Sequence, residues 1–494
     1  MSEQMTGHET TRDDKPQVAQ RQVAPPPLLL WMVIGLVLLA VLAGVAGVVV
    51  FRAVLLPGQQ QRVIDQLPFM RAFLPPTPQG GVLPTALPQG ESAISPEDLL
   101  GAPLTLATAT VVVTLAPTQA AMIEIVPSAT PTATLPPTAT PVPPTFTPYP
   151  TEVVPTQAGQ AQTGQGSLLA VSAVVPSRPS AERLYGIRHI KQTWNNCGPA
   201  NLTMALSFFG WTQDQSVAAE YLKPSREDKN VNPGEMVAFV NERTGVRAVT
   251  RIGGDTGILK DFIAAGFPVI IETGYMPEGY DWIGHYQTIV GYDDVLGVFY
   301  VYDSFLGTGE NGEGIALTYT SLDANWQHFN RTFIVLYEQA REGDVRTILG
   351  DIADLTVAAE NALGVAQAEA RANPQNAFAW FNIGSAYTRL GRYEEAAAAF
   401  DQARRVGLLP WRITWYQFGP FEAYFYAGRY DDVLALVNAN LANGAQYVEE
   451  THYWNGRVLA MQGNTQAAAA AFRQALAHNP RYADARAALD RLNS

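Results

Sequence analysis

Residues 189–211 read HIKQTWNNCGPANLTMALSFFGW, and this stretch decides the fold of the central part of the chain. Apolar residues follow the single cysteine, Cys197, with the i, i+3, i+4, i+7 spacing of a helix: Leu202, Ala205, Leu206 and Phe209. Gly210 is expected to end this helix. Cys197 is therefore predicted at the N-terminal end of a helix, where free N–H groups and the helix dipole favour the thiolate and lower the pKa of the thiol.

The residues around Cys197 fit a reactive thiol. Gly198 is expected to allow close approach of a substrate backbone, and Pro199 suits the first helical turn, where its missing N–H costs nothing. Gln192 carries a side-chain amide that can donate a hydrogen bond to an oxyanion. A thiolate nucleophile also needs a base, and the base needs a group that orients it.

Three runs further along the chain are predicted to form consecutive strands of an antiparallel sheet: GFPVIIETGY at 266–275, GHYQTIVGYDD at 284–294 and VFYVYDSFLG at 298–307. His285 and Asp303 are expected at strand ends, where side chains reach the rim of a sheet. The imidazole would take the thiol proton, and the carboxylate would fix the imidazole tautomer. The sequence thus predicts a catalytic constellation of Cys197, His285 and Asp303.

Taken singly, each of these residues has a structural interpretation. A lone cysteine is usually a small buried hydrophobic side chain, a lone histidine is often a structural hydrogen-bonding group, and an aspartate before a serine suits the start of a turn. Their joint pattern is much rarer than its parts and favours catalysis. Asp293 and Asp294 match a hairpin turn and are predicted to be structural, while His189 and His328 have no matching context.

Composition excludes several classes of protein. One cysteine cannot form an intrachain disulfide or a multi-cysteine metal site, and no metal or organic cofactor is implied. The net charge is −13, and residues 181–494 carry 25 Lys and Arg against 35 Asp and Glu. A nucleic-acid-binding protein normally presents a basic face, so nucleic acid is not an expected partner.

Three motifs of the chain resemble those of the papain-like bacteriocin-leader peptidases, also called double-glycine peptidases, and in particular their stand-alone branch: QTWNNCGPA at 192–200, GHYQTIVGYD at 284–293 and YVYD at 300–303. The resemblance covers about residues 181–338, one third of the chain. It implies an α+β papain-like fold and the following roles: Cys197 as nucleophile, His285 as general base, Asp303 as orienting acid and Gln192 as oxyanion donor.

The chain departs from the transporter-linked members of that family. Those members are fused to a six-helix membrane domain and an ATPase, and they cut a leader after two glycines inside the cell. This chain has one predicted membrane helix and no Walker motif. Leader processing during export is therefore not implied, and the substrate stays open.

Residues 28–51 form a run of 24 residues without a charge. As a helix this run would be about 36 Å long, enough to cross a hydrocarbon core of about 30 Å; a cleaved signal peptide is the alternative. Positive residues flank both ends equally, but there is no Lys or Arg from residue 72 to residue 177. That pattern is typical of a translocated segment, so the N-terminus is predicted in the cytoplasm and the rest outside it.

A Pro/Thr-rich stretch separates this helix from the rest of the chain. Residues 126–156 contain 10 Pro and 9 Thr in 31 positions, and 26 of the 35 prolines precede residue 181. Proline removes hydrogen-bond donors and holds the backbone near polyproline II. The sequence predicts a stalk or a plain linker that buries no core.

The C-terminal part resembles the tetratricopeptide repeat, most closely at 376–409, through these residues: Trp380, Gly384, Tyr387, Gly391, Tyr393, Ala396, Phe400 and Ala403. Gly391, Gly428 and Gly463 mark three units spaced by 37 and 35 residues. The usual role of such repeats is to bind a peptide or protein in a groove; the alternative is that they only pack against the preceding domain. Four aromatic residues are expected in the repeat core: Tyr416, Tyr424, Tyr426 and Trp454.

The predicted architecture is an α+β papain-like domain followed by all-α repeats, with these boundaries: 1–27 cytoplasmic tail, 28–51 transmembrane helix, 52–180 Pro/Thr-rich linker, 181–340 cysteine peptidase-like domain and 341–494 tetratricopeptide domain. The predicted function is hydrolysis of a peptide or isopeptide bond by a membrane-anchored, extracytoplasmic cysteine peptidase. The repeats would bind a substrate or partner protein. Two alternatives remain: a transglutaminase-like acyl transferase with the same triad, and an inactive scaffold acting through its repeats.

Overall fold

The computed structural model describes residues 27–55, parts of 60–73, Leu83, 94–101, 178–227, 230–276 and 281–493. Most of the predicted 1–27 tail and of the 52–180 linker, including the Pro/Thr-rich stretch, lies outside the described residues. Within the described part of that linker, residues 68–73 form a 3-10 turn and Pro96–Leu100 form a short helix, α2.

Helix α1 spans Pro27–Ala53 and contains the predicted apolar segment. Its large apolar side chains face outward, as Trp31 and Leu39 show with exposed fractions of 69% and 67%. A helix inside a soluble core would bury such side chains. By length and composition, α1 fits either a membrane span or a signal sequence.

An antiparallel sheet forms the centre of the peptidase-like domain, in the order β2-β7-β3-β4-β5-β6, with β1 paired to β4. The strands are β1 Ala181–Arg183, β2 Arg247–Arg251, β3 Val269–Tyr275, β4 Ile283–Asp293, β5 Val298–Asp303, β6 Ile315–Thr318 and β7 Phe333–Tyr337. The three strands predicted in succession are β3, β4 and β5, and they pair antiparallel as predicted. Asp303 is the last residue of β5, whereas His285 lies two residues inside β4 rather than at its end.

The helices of this domain are α3 Cys197–Ser207, α4 Gln215–Leu222, α5 Pro233–Arg243, α6 Thr256–Ala264, α7 Tyr319–Trp326 and α8 Glu342–Leu349. Helix α3 begins at Cys197, as predicted, and packs on β4. Its predicted apolar face is fully buried at Leu202, Ala205 and Leu206. The helix ends at Ser207, three residues before the expected stop at Gly210.

Gly198 has a different role from the one expected. The residue is buried, and a Cβ there would lie 3.2 Å from the Cβ of Val231 and 3.6 Å from the sulfur of Met236. Glycine at this position therefore lets the first turn of α3 pack closely on the segment that leads into α5. The close approach is made by the protein's own core.

The C-terminal part is a stack of helices: α9 Leu355–Ala372, α10 Ala377–Arg389, α11 Tyr393–Val406, α12 Gly419–Tyr426, α13 Tyr430–Ala442, α14 Glu449–Met461, α15 Thr465–His478 and α16 Ala483–Asn493. The three predicted glycine turns lie between α10 and α11, α12 and α13, and α14 and α15. Gly391, Gly428 and Gly463 have φ values of 70°, 73° and 76°, which only glycine adopts without strain. The structure therefore contains the three helix pairs that the glycine spacing predicts.

Gly384 allows the two helices of the first repeat to approach each other. A Cβ at this position would lie 2.7 Å from the ring of Phe400. We expect Gly384→Ala to lower the free energy of unfolding by about 1–3 kcal/mol, because the well-packed ring has nowhere to move. Gly343→Ala is the control, since a Cβ there meets nothing within 4 Å. Urea unfolding followed by tryptophan fluorescence measures the stability of both variants. Equal urea midpoints for Gly384→Ala and Gly343→Ala would contradict the prediction.

An aromatic cluster joins the repeats to the peptidase-like domain. The Trp282 ring stacks on Phe329 at a centroid distance of 5.9 Å and on Phe378 of α10 at 6.4 Å. His328 stacks on the same Phe378 at 3.8 Å. Tyr416 of the repeats completes the cluster, edge-on to Trp282 at 5.9 Å.

Polar contacts extend this interface in both directions. Asn382 of α10 donates to the carbonyl of Gln327 at 2.8 Å. At the other end of the stack, Asn232 donates to Glu450 at 2.7 Å. The repeats therefore pack along the peptidase-like domain.

The four aromatic residues expected in the repeat core differ in their surroundings. Tyr424 and Trp454 are buried in that core. Tyr426 is 39% exposed, so the expectation is wrong for this residue, which stacks on Tyr393 at the surface. Tyr416 is partly buried and packs between the two domains.

Candidate active site

The thiol of Cys197 lies at the first residue of α3, behind a tightly held loop. Gln215 of α4 accepts from the backbone N–H of Thr193 at 3.0 Å and donates to the carbonyl of Lys191 at 2.8 Å. Lys223 donates to the carbonyl of Asn195 at 3.0 Å. Asn195 has a φ of 53°, a left-handed conformation that asparagine tolerates better than most residues. These contacts fix the direction in which the loop enters α3.

His285 and Asp303 lie together on adjacent strands. Their positions follow from the register, since Gln287 of β4 pairs with Asp303 of β5, and His285 lies two residues before Gln287 on the same face of the strand. Nε2 of His285 is 3.0 Å from Oδ1 of Asp303, and both side chains are almost completely buried. Nδ1 is left for the thiol of Cys197, and interaction with this ring lowers the pKa of that thiol.

The carboxylate of Asp303 is held by four donors. Oδ1 accepts from His285 and from the backbone N–H groups of Phe305 at 2.7 Å and Leu306 at 2.8 Å. Oδ2 accepts from the side-chain amide of Gln287 at 2.8 Å. Because every one of these groups is a donor, the site stabilises the ionised carboxylate and fixes its orientation towards the imidazole.

The environment favours an ion pair between the thiol and the imidazole. Burial raises the pKa of the Cys197 thiol, but the hydrogen bond and charge of His285, assisted by a backbone N–H and by Lys223, bring it below its ordinary value. Burial lowers the pKa of His285, but Asp303 and Cys197 raise it to about 10. Burial also raises the pKa of the Asp303 carboxyl, yet His285 and the other donors hold it well below its usual range.

Gln192 is fixed at both its backbone and its side chain by one residue, Ser304. The backbone N–H of Gln192 donates to the carbonyl of Ser304 at 2.8 Å, and the hydroxyl of Ser304 donates to Oε1 of Gln192 at 2.7 Å. Since Oε1 is occupied as an acceptor, the Nε2 group keeps both of its hydrogens for other acceptors. This arrangement orients an amide donor next to the loop that carries the thiol.

Asn201 connects all of these parts, and reasoning from the sequence missed it. Its fully buried Nδ2 group lies 2.9 Å from the carbonyl of Cys197, 2.7 Å from that of Tyr286 and 3.0 Å from the hydroxyl of Ser304. Its Oδ1 accepts from Thr288 at 2.9 Å. One amide therefore ties the start of α3, the strand of His285 and the residue that holds Gln192. Its position one helical turn after the cysteine was the only available signal.

Other histidines and acids singled out from the sequence lie around the site or away from it. His189 contacts the backbone carbonyl of Asp303 through Nε2 at 2.9 Å, a role that the sequence did not indicate. Asp293 caps the β4–β5 turn and Asp294 pairs with Lys260 at 2.6 Å, so both are structural, as predicted. Burial lowers the pKa of His328 to about 4 in the aromatic cluster. Among the residues that the structure describes, no three His, Cys, Asp or Glu side chains are grouped like metal ligands.

Comparison with known proteins identifies the families of two parts of the chain. Residues 185–334 match the model of the Peptidase_C39 like family, and residues 377–406 and 449–482 match the tetratricopeptide repeat model. No curated protein matches the chain.

Two solved structures are similar at low identity. One is described as a C39-like peptidase from Bacillus anthracis, with 16% identity and a TM-score of 0.27 over 32% of this chain and 98% of that one. The other is a double glycine motif protease from an AMS/PCAT transporter in complex with the leader peptide, with 15% identity and a TM-score of 0.24 over 32% of this chain and 99% of that one. The chain thus contains a Peptidase_C39 like domain followed by tetratricopeptide repeats, the organisation that its motifs predict.

Proposed function

We propose that this chain is a cysteine peptidase that hydrolyses a peptide or isopeptide bond through Cys197, His285 and Asp303, with Gln192 as the oxyanion donor. The observation that carries the proposal is the buried His285–Asp303 pair, 3.0 Å apart, whose imidazole lowers the pKa of the single thiol of the chain. A structural histidine needs no such chain of partners, whereas an activated nucleophile needs each of them.

The reaction follows from these contacts. The Cys197 thiolate attacks the carbonyl carbon, and the carbonyl oxygen takes up negative charge. His285 gives a proton from Nδ1 to the leaving amine, while Asp303 keeps Nε2 protonated and the ring in place. A water molecule then loses a proton to Nδ1 and attacks the thioester, which releases the acid and restores the thiolate.

Gln192 would stabilise the negatively charged oxygen in both steps. Its Nε2 group points its donors where Ser304 fixes them, so little reorganisation is needed when the charge develops. The free backbone N–H groups at the start of α3 supply further donors.

Cleavage of a library of internally quenched peptides by the full chain in detergent micelles tests the proposal. We expect turnover that disappears in Cys197→Ala and falls about 10²–10³-fold in Gln192→Ala, because one oxyanion donor is lost. The exposed Gln213→Ala is the matched control and should cleave like the natural chain. Cleavage that persists in Cys197→Ala would contradict the role of Cys197 as the nucleophile. If no peptide is cleaved and the thiol alkylates with an ordinary pH midpoint, the result would contradict a peptidase and favour the scaffold.

Labelled amines separate hydrolysis from acyl transfer in the same assay. If water is the acceptor, adding a primary amine leaves the product a free acid. Incorporation of the amine into the product would assign the transglutaminase-like alternative, since the thioester is common to both reactions.

We further propose that α1 anchors the chain in a membrane with residues 178–494 outside the cytoplasm, and that the repeats bind a protein partner. The exposed apolar surface of α1 and the absence of Lys and Arg from residue 72 to residue 177 support this orientation. Protease added to intact cells should degrade residues 178–494. If these residues resist the protease until the membrane is permeabilised, the topology is the opposite of the one proposed.

A further inference from the structure

Helix α2, which precedes the peptidase-like domain by about 80 residues, packs on the repeats. It contacts α9 and α11. Leu99 of α2 is only 1% exposed and belongs to the hydrophobic core of the repeats, as does Leu83 at 3%. Ile94 and Leu100 pack against the same core. A segment of the predicted linker therefore contributes side chains to the repeat domain.

Both ends of this five-residue helix have hydrogen-bond partners. At its start, Ser95 and Asp98 form a reciprocal capping box within the segment itself. At its end, side chains of the repeats donate hydrogen bonds to carbonyls that have no partner within the helix. Gln367 donates to the carbonyl of Leu99 at 2.7 Å, and Arg371 donates to that of Leu100.

An isolated helix of five residues is not stable in water, because too few hydrogen bonds offset the cost of nucleation. Its order must therefore come from the surface on which it lies. That surface supplies an apolar site for one leucine, an amide for a helix-terminal carbonyl, and a guanidinium that suits the negative end of the helix dipole.

We propose that residues 94–101 are a ligand in cis for the groove between α9 and α11. This goes beyond the proposed peptidase activity and does not depend on it. Arg178, at the start of the next described segment, is likewise fixed to the peptidase-like domain, through Asp261 at 2.8 Å.

Hydrogen–deuterium exchange on the full chain in detergent micelles tests the proposal. We expect the amides of residues 97–101 to exchange at least about tenfold more slowly than in Leu99→Asp, in which a charge would enter the apolar site. Leu67→Asp is the matched control, because Leu67 lies in the same linker and is 48% exposed. In Leu67→Asp, the amides of residues 97–101 should stay protected from exchange.

A second variant removes the groove's donors and leaves the ligand intact. Gln367→Ala combined with Arg371→Ala should also abolish protection of residues 97–101. Free-peptide exchange rates at 97–101 in the natural chain, or equal protection in Leu99→Asp, would overturn the proposal. Alkylation of Cys197 is measured on the same samples and should be unchanged in Leu99→Asp, so a failed peptidase and a failed cis ligand are distinguished.

Discussion

Replacing His285 with alanine is expected to raise the pH midpoint of Cys197 alkylation by at least about one unit, so that the rate at pH 6 falls at least about tenfold. The hydrogen bond and positive charge of His285 are the main groups that hold the pKa of the buried thiol below its ordinary value. Without them, burial is opposed only by a backbone N–H and by Lys223, so the pKa of the thiol rises. Because the chain has one cysteine, the alkylation signal has one source.

The sign of this pH dependence follows from the two shifts. A thiol with a lowered pKa is already ionised below the usual midpoint of about 8.5, and a histidine with a pKa of about 10 stays protonated across that range. The thiol of the natural chain should therefore react below that midpoint. His478→Ala, on α15 of the last repeat, is the control and should keep the natural profile. An unchanged profile in His285→Ala would show that the thiol is not activated by this pair.

Replacing Asn201 with alanine is expected to lower the free energy of unfolding by about 2–4 kcal/mol, because it removes several buried hydrogen bonds at once. Four groups lose a hydrogen bond to the Asn201 side chain: the carbonyls of Cys197 and Tyr286 and the hydroxyls of Thr288 and Ser304. Urea unfolding followed by tryptophan fluorescence gives the change in stability.

A second readout separates positioning from stability alone. Since Ser304 fixes Gln192, loss of Asn201 should also reduce peptide turnover under conditions where the variant is still folded. Asn361→Ala is the control for both measurements, because Asn361 is an exposed residue of α9. A loss of stability below about 1 kcal/mol with normal turnover would contradict the role assigned to Asn201.

Most of the predicted site follows from local patterns in the sequence. The start of α3 at Cys197 follows from apolar residues at helical spacing, and the strands of His285 and Asp303 follow from β-rich runs bounded by turns. The repeats follow from their period and from glycines at turns that need a positive φ. Each of these signals lies within about 35 residues of sequence, a distance over which periodicity and turn chemistry act.

Long-range partners were not predictable in the same way. Asn201 and Tyr286 are 85 residues apart, and Gln192 and Ser304 are 112 residues apart. A buried asparagine within an apolar helix and a serine after a strand have many ordinary interpretations, and only the register of β4 against β5 and the packing of α3 on β4 bring them together. Gly198 was misinterpreted for the same reason, because its neighbour Val231 belongs to another segment.

The sequence by itself determined the helix that follows Cys197, the three strands β3 to β5, the glycine turns of the repeats, and that the chain consists of a peptidase-like part and a repeat part. Side-chain chemistry and hydrophobic periodicity are properties of neighbouring residues, so they can be read along the chain. The tertiary structure alone decided that Asp303 is held by four donors, that Trp282 joins the two domains, and that Leu99 of the linker lies in the repeat core. These contacts depend on how distant surfaces fit together, and that fit is set by packing of the whole molecule.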